Sequence, residues 1–283
     1  GISNFFNLSK KKIFFFDHHQ CHAYYGYYSS DFYQKKSIIV TSDGGGDGSN
    51  GSIWLAKKNK IKELYRTNIC NIGRMYRYAT LNLNMKPTEH EFKVMGLAGY
   101  ALKNNAFFGK LENFYSKTLD VKNAKFFYKL KPKDNYFYFK NLSKNIRFDT
   151  LAYFIQNFTE NILEKWFLQI YDKYKIKNFI FSGGVAQNIK ATKKISTNKK
   201  INKLFVPPGP GDESLMIGVV YCLLNKFGVD KKKISTLINP YKGCSFKKES
   251  LNFLKNKNKI ILKKVKPKDV ALILNSGEVV ARF

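Results

Sequence analysis

Two segments that lie far apart in the chain most constrain how it can fold, because each is typical of a strand that runs into a glycine-rich turn. Together they offer imidazoles, carboxylates and the backbone amides of glycines, which no side chain shields. A site that holds a metal and a nucleotide is built from such groups. The first segment comprises Asp17–Ala23 (DHHQCHA) and Thr41–Gly48 (TSDGGGDG), and the second comprises Phe181–Asn188 (FSGGVAQN) and Pro207–Asp212 (PPGPGD).

Strand and helix patterns alternate along the chain, which favours an α/β fold with crossover helices. The predicted strands are Ile13–Phe16, Ser37–Ser42, the hairpin pair Gly51–Leu55 and Ile61–Arg66, Asn178–Phe181, Lys203–Val206 and Glu278–Phe283. The predicted helices begin at the histidine segment and then cover Glu89–Leu102, Thr150–Tyr174, Val185–Ser196, Asp212–Phe227, Lys247–Lys255 and Lys268–Asn275. Residues 103–148 are aromatic, rich in Lys and Asn and weakly periodic, so we interpret them as an insertion.

The charge is strongly basic, with 50 Lys plus Arg against 20 Asp plus Glu and a formal net charge of +30. A polyanionic partner would explain it, but the lysines are scattered and only five residues are Arg, the side chain that planar phosphate recognition favours. We therefore favour a solvated surface and expect no specific nucleic-acid partner. The four cysteines form no CxxC pair, which argues against a zinc ribbon and favours a reducing cytoplasm. No apolar run is long enough to span a membrane.

His18 and His22 are four residues apart, so on a helix they share one face and could bind one metal ion. We expect His19 to point elsewhere. Asp43 ends a predicted strand and opens a glycine turn, where it could bind a metal or simply form part of a hairpin loop. Asp212 follows a Pro/Gly loop, and it could act as a helix N-cap, as a metal ligand or as both.

The turn at Ser182–Asn188 leads from a strand into a helix start, where backbone amides attract phosphate or a ribose edge. It is neither a Walker loop nor a GxGxxG fingerprint. Glu91 is a second polar candidate, and the alternative for it is an exposed face of an amphipathic helix.

Taken in order, five segments resemble the NodU/CmcH family of O-carbamoyltransferases, of the type that modifies tobramycin. They are DHHQCHA (17–23), SDGGGDGS (42–49), EFKVMGLAGY (91–100), SGGVAQN (182–188) and FVPPGPGDESLMIG (205–218).

The resemblance implies an actin/Hsp70-like (ASKHA) core in a Kae1-like domain at 1–237, followed at 238–283 by the beginning of a YrdC-like domain. In this family the YrdC-like part makes carbamoyl-adenylate from carbamoyl phosphate and ATP, and the Kae1-like part passes the carbamoyl group to a hydroxyl of a sugar or other small molecule.

By the same resemblance, a divalent metal, Fe(II) or alternatively Mg or Mn, is held by catalytic residues at four positions, and a nucleotide is bound by six others. The metal ligands would be His18, His22, Asp43 and Asp212, and the nucleotide-binding residues would be Gly44, Gly45, Gly183, Gly184, Asn188 and Glu91.

Other functions stay open at this point. One is a tRNA threonylcarbamoyladenosine-type transferase, and another is an inactive fragment that binds metal and nucleotide without turnover. The sequence offers no counterpart of the family's first phosphate-binding hairpin ahead of Ile13, so we expect residues 1–283 to be an internal part of a longer enzyme. A homodimer is one possible assembly.

Overall fold

A computed structural model describes residues 5–6, 9, 12–58, 60–102, 114–229 and 265–281. The chain divides into two compact units, Gly1–Ile238 and Asn239–Phe283. We treat each unit by itself. No helix in the described ranges is long and apolar enough to cross a membrane.

A five-stranded mixed sheet forms the centre of the first unit. Its strands lie in the order β3-β2-β1-β6-β7, where β1 pairs antiparallel with β2 and parallel with β6. A separate hairpin is formed by β4 and β5. The strands are β1 Ser37–Gly46, β2 Ser49–Lys57, β3 Lys60–Thr67, β4 Leu119–Lys122, β5 Lys125–Tyr128, β6 Asn178–Ser182 and β7 Lys203–Phe205. This mixed sheet with helical crossovers is an α/β fold, as the sequence predicts.

The described α-helices are α1 His18–Ser29, α2 Ile72–Asn82, α3 Glu91–Leu97, α4 Asn135–Leu142, α5 Phe148–Tyr174, α6 Ile189–Ser196, α7 Leu215–Lys226 and α8 Pro267–Asn275. Short 3-10 turns, Ala98–Tyr100, Gly184–Gln187 and Asp212–Ser214, follow α3 or precede α6 and α7. The predicted helices at 150–174, 185–196 and 212–227 are therefore confirmed, with the last two each beginning as a 3-10 turn.

Alternating side chains of the central strands build two cores, because successive residues of a strand point to opposite faces. Ile38 and Val40 pack with Phe179 and Phe181 on the face covered by α2, α5 and α6. Ile39 and Ile180 pack on the opposite face, which α1 and α7 cover. The sheet thus lies between two helical layers, with the carboxyl ends of β1 and β6 side by side.

Within residues 103–148, the described part from 114 onward contains the β4–β5 hairpin and α4. Aromatic side chains from it are buried in the core beside the long helix α5, and Phe126 lies edge-on to Trp166 with ring centroids 4.7 Å apart. This segment contributes to the core of the first unit.

In the second unit the predicted helix Lys268–Asn275 is confirmed as α8. Pro267 occupies its first turn, and Asp269 accepts a hydrogen bond from the Lys266 N–H at 2.9 Å. The predicted helix Lys247–Lys255 lies outside the described residues. The predicted strand Glu278–Phe283 is not present at 278–281, and its last two residues are not described.

Two other local predictions are wrong, and one helix was missed. Ile13–Phe16 forms no strand, since Phe14 packs edge-on to Phe227 while Phe15 is exposed. The glycine turn predicted after Asp43 is confined to Asp47 and Gly48, because Gly44–Gly46 extend β1 and Ser49 already starts β2. Helix α2 was not predicted.

Candidate functional site

The histidine pair lies at the start of α1. Asp17 caps this helix by accepting the Gln20 N–H at 2.9 Å, and Arg66 of β3 holds the same carboxylate through two hydrogen bonds of 2.6 and 2.8 Å. Burial opposes ionisation of Asp17, but the bonds from Arg66 and Gln20 outweigh it and lower its pKa. Asp17 and Arg66 therefore fix the position at which α1 begins, and His18 is the first residue of that helix.

His19 points away from the other two histidines, as expected. Its Nδ1 lies 2.7 Å from the hydroxyl of Thr41 on β1, and both side chains are buried. Burial lowers the pKa of His19 to about 4, which keeps the ring neutral at physiological pH. This histidine anchors α1 to β1.

Asp43 and Asp212 reach the histidines from two other elements. Asp43 lies near the carboxyl end of β1, and Asp212 follows the Pro/Gly loop. That loop is held on both sides, because the Tyr25 hydroxyl donates to the Pro208 carbonyl and the Gly183 N–H donates to the Pro210 carbonyl at 2.8 Å. The N-cap residues are Gly211 for the 3-10 turn and Ser214 for α7, so the interpretation of Asp212 as an N-cap is wrong.

The four side chains converge. Asp43 Oδ2 lies 3.3 Å from His18 Nε2 and 3.0 Å from His22 Nε2, while Asp212 Oδ1 lies 3.4 Å from each of the same two nitrogens. The two Nε2 atoms are 3.2 Å apart. All four ligand atoms lie within 4.8 Å of one another.

Charge is concentrated in this cluster. Burial opposes protonation of His22, but contacts with Asp212 and Asp43 outweigh it and raise its pKa to about 9. Burial also opposes ionisation of Asp43, and contacts with both histidines overcome it and lower the Asp43 pKa. The proton on His22 therefore offsets part of the carboxylate charge in the free protein, and a bound cation would have to displace it.

The residues fit a divalent metal. Ligand atoms at about 2.0–2.1 Å from one ion stand about 2.9–3.4 Å apart in octahedral or tetrahedral geometry, and the five separations above fall in that range. Two imidazoles and two carboxylates suit a borderline divalent ion better than Ca²⁺. One feature departs from the usual pattern, since Nδ1 of the buried His22 has no hydrogen-bond partner among the described residues.

A cleft of about 320 Å³ opens beside the cluster. It lies outside the carboxyl ends of the parallel strands β1 and β6, which is where open α/β sheets bind ligands. Its lining residues are Asp43, Gly44, Ile72, Gly73, Tyr76, Arg77, Thr88, Glu91, Phe92, Met95, Thr159, Gly184, Val185, Gln187, Asn188, Gly211, Asp212 and Glu213.

Four of the six residues predicted to bind a nucleotide line this cleft: Gly44, Gly184, Glu91 and Asn188. Gly45 and Gly183 do not. Gly183 instead lets the two strand ends touch, because its φ is +93° and an added Cβ would stand 2.3 Å from the Ser42 carbonyl oxygen.

Glu91 and Asn188 already have partners. One oxygen of Glu91 accepts the Thr88 N–H at 2.8 Å, which leaves the other free to face a ligand. The Asn188 side chain accepts the Ala191 N–H as the N-cap of α6 and exchanges two hydrogen bonds with Gln156. Asn188 therefore shapes the cleft wall as well as lining it.

Comparison with known proteins decides the family. Residues 4–221 match the family model described as Carbamoyltransferase N-terminus. The chain belongs to the carbamoyltransferase family. Two uncharacterized proteins of Methanocaldococcus jannaschii are similar to it, one 32% identical over 81% of this chain and 45% of its own length, the other 26% identical over 64% of this chain and 30% of its own length. The chain thus spans less than half of the curated relatives it matches.

Within this carbamoyltransferase-family chain, α2 supplies cleft residues that the sequence reasoning missed. Tyr76 lines the cleft and donates its hydroxyl to Gln156 at 2.8 Å, and Arg77 lies one residue further on. A usable signal was present: Ile72, Met75, Tyr76 and Ala79 follow helical spacing and are buried.

Proposed function

We propose that this chain is the carbamoyl-transferring part of an ATP-dependent O-carbamoyltransferase of the NodU/CmcH type. Such an enzyme moves the carbamoyl group of carbamoyl phosphate, through carbamoyl-adenylate, to a hydroxyl of a sugar or other small molecule in the cytoplasm. The observation that carries the proposal is the convergence of His18, His22, Asp43 and Asp212 beside a cleft lined by Gly44 of β1 and by Gly184, which follows β6.

In the proposed reaction the acceptor oxygen bonds to the carbamoyl carbon, the bond from that carbon to the phosphate oxygen breaks, the hydroxyl proton is released and AMP leaves. The four cluster residues would hold a divalent ion, Fe(II) or alternatively Mn or Mg, that polarises the carbonyl and neutralises phosphate charge. Gly44 and Gly184 would let the ligand come close to the backbone, and the oxygen of Glu91 that does not bind Thr88 would accept from a ribose hydroxyl.

The fold supports a finer assignment. We propose that the first unit is an actin/Hsp70-like, Kae1-like core and that residues 239–283 begin a YrdC-like domain. The mixed sheet with its site at the ends of β1 and β6 is compatible with the former, and the boundary after Ile238 lies next to the position that the resemblance implies.

A tRNA-modifying transferase is the second candidate, and the net charge of +30 favours it. Tight tRNA binding that persists at physiological salt would support it over a small-molecule acceptor, because sequence-independent phosphate contacts weaken steeply with salt.

The metal site is tested by anaerobic titration calorimetry with Fe²⁺ and Mn²⁺. We expect His22→Ala, Asp43→Asn and Asp212→Asn each to weaken binding by more than about 100-fold, since each removes a direct ligand and even indirect supports cost about 10–100-fold. His90→Ala is the matched control, because His90 lies at the start of α3 outside the cluster. Wild-type affinity in the three ligand variants would refute the site.

Transfer itself is tested on the full gene product, because this chain covers less than half of its relatives. The metal-loaded protein receives ATP, carbamoyl phosphate and a panel of hydroxylated sugars, and carbamate-ester formation is followed by mass spectrometry. We expect product in the wild type and none in Asp43→Asn. A metal-loaded wild type that carbamoylates no acceptor would overturn the proposed function.

A further inference from the structure

Two arginines of α2 lie over Gly44 and Gly45, near the carboxyl end of β1. Arg74 and Arg77 are three residues apart and so share a helix face. Arg74 Nε donates to the Gly44 carbonyl at 2.9 Å. A Cβ added at Gly44 would stand 2.9 Å from Arg77 Nη2, and one at Gly45 would stand 3.0 Å from Arg74 Nη2. Both guanidinium groups are therefore close to Gly44 and Gly45.

Arg77 differs from the other described arginines in having no hydrogen bond or ion pair in the described part of the chain. Arg66 and Arg147 are each paired with carboxylates, and Arg74 donates a hydrogen bond to the Gly44 carbonyl. Arg77 is exposed and lines the cleft. An uncommitted planar cation in a concave site is suited to an anion that can accept two parallel hydrogen bonds.

Each carboxylate that shares the cleft has another partner, and none is paired with Arg77 in the described part of the chain. Asp43 and Asp212 contact the histidine pair, Glu91 accepts from Thr88, and Glu213 accepts from Gln187 and from the Gly211 N–H, both at 3.1 Å. The positive charge of Arg77 is thus left for a ligand.

The backbone beside Arg77 adds to this preference. A Cβ at Gly73, in the first turn of α2, would stand 3.1 Å from the Gly44 nitrogen. The amino end of this helix therefore packs against the backbone of Gly44. The partial positive charge of a helix amino end favours a nearby anion. A cleft of about 320 Å³ is within the size range of small-molecule sites.

We propose that Arg77 binds a phosphoryl group of the ligand in this cleft, while Arg74 positions the backbone of Gly44 and Gly45 against it. The identity of the ligand as an adenylate rests on the proposed function. A phosphoryl group is shared by AMP, ATP and carbamoyl phosphate, so the experiment separates these sources.

The test is calorimetry on residues 1–283 with five probes: adenosine, AMP, ATP, carbamoyl phosphate and inorganic phosphate. The variants are Arg77→Gln and Arg77→Lys, and the charge-matched control is Lys122→Gln on the β4–β5 hairpin, outside the cleft lining. We expect Arg77→Gln to weaken the phosphate-bearing ligand by about 10-fold or more, with Arg77→Lys intermediate because lysine keeps the charge but loses the planar fork.

Adenosine affinity, metal affinity and the unfolding midpoint should be unchanged in both Arg77 variants, which separates a lost phosphate contact from a damaged site. The proposal is overturned if Arg77→Gln binds every phosphate-bearing probe as Lys122→Gln does, or if the wild type binds none of them. Failure of the proposed function looks different: adenosine and AMP would not bind, while carbamoyl phosphate or inorganic phosphate would still bind and depend on Arg77.

Discussion

At the scale of single residues, Gly46 determines where the ring of His18 can lie. A Cβ added at Gly46 would stand 2.3 Å from Cγ, 2.4 Å from Nδ1 and 2.6 Å from Cδ2 of His18. The ring therefore packs directly on the glycine backbone, in space that any other residue would fill. Gly46 positions a proposed metal ligand without contacting the metal itself.

We predict that Gly46→Ala weakens Fe²⁺ or Mn²⁺ binding by at least about 10-fold, because a misplaced ligand loses part of its bond. The control is Gly96→Ala, where an added Cβ meets no atom within 4 Å. Gly96 is inside α3, so alanine there should stabilise the fold by about 0.5–1 kcal/mol and leave metal affinity unchanged. Titration calorimetry and thermal unfolding measure both, and a Gly46→Ala protein with wild-type metal affinity would contradict the argument.

The sequence was informative about this site to different degrees at different residues. The four-residue spacing of His18 and His22 predicts a shared helix face, and Asp43 could be placed at a strand end. Bringing Asp212 to them depends on the path of the Pro/Gly loop, which local patterns do not encode. The orientation of Arg77 depends on how α2 packs against Gly44 and Gly45 of β1, which is also a tertiary property.

At the scale of elements, α1 and α7 pack unusually closely at Gly218. A Cβ there would stand 2.3 Å from the carbonyl oxygen of Cys21 and 2.7 Å from its carbonyl carbon. Backbone atoms inside a helix cannot move aside as a flexible side chain can. Since α1 carries the histidine pair and α7 directly follows Asp212, this contact sets the separation of the two halves of the cluster.

We predict that Gly218→Ala destabilises the protein by about 1–3 kcal/mol, the usual cost of overpacking, and also weakens metal binding. Val220→Ala on the same helix is the control: Val220 is 52% exposed, so its change should stay within about 0.5 kcal/mol. Urea unfolding followed by circular dichroism gives both values. Equal stabilities of the two variants would show that the helices can separate without loss.

Elements were predicted best where one periodicity extends over many residues. The long helix α5 has such a pattern, whereas the buried strands β1 and β6 were predicted from short apolar runs. Ile13–Phe16 has a strand-like composition, but Phe14 packs against Phe227 instead of joining the sheet, and a strand needs a paired neighbour. The hairpin β4–β5 is too short for a periodic signal, and its position follows from packing against Trp166.

At the scale of the whole molecule, the proposed chemistry lies within one unit. The four cluster residues and all the cleft-lining residues fall between Gly1 and Ile238, and the family match covers 4–221. The net charge of +30 belongs to the whole chain and does not by itself identify a partner. Metal binding by this site should therefore depend on the first unit alone.

We predict that a protein ending at Ile238 binds Fe²⁺ or Mn²⁺ within about 3-fold of the affinity of residues 1–283, because independent sites and distant changes are close to additive. A second truncation, ending at Lys200, removes β7 and Asp212 and should lose both metal binding and cooperative unfolding, since β7 pairs with β6 in the central sheet. Calorimetry and thermal unfolding of the three proteins provide the comparison.

If the protein ending at Ile238 unfolds cooperatively but binds no metal, residues 239–283 contribute a ligand, and the four-residue site is incomplete.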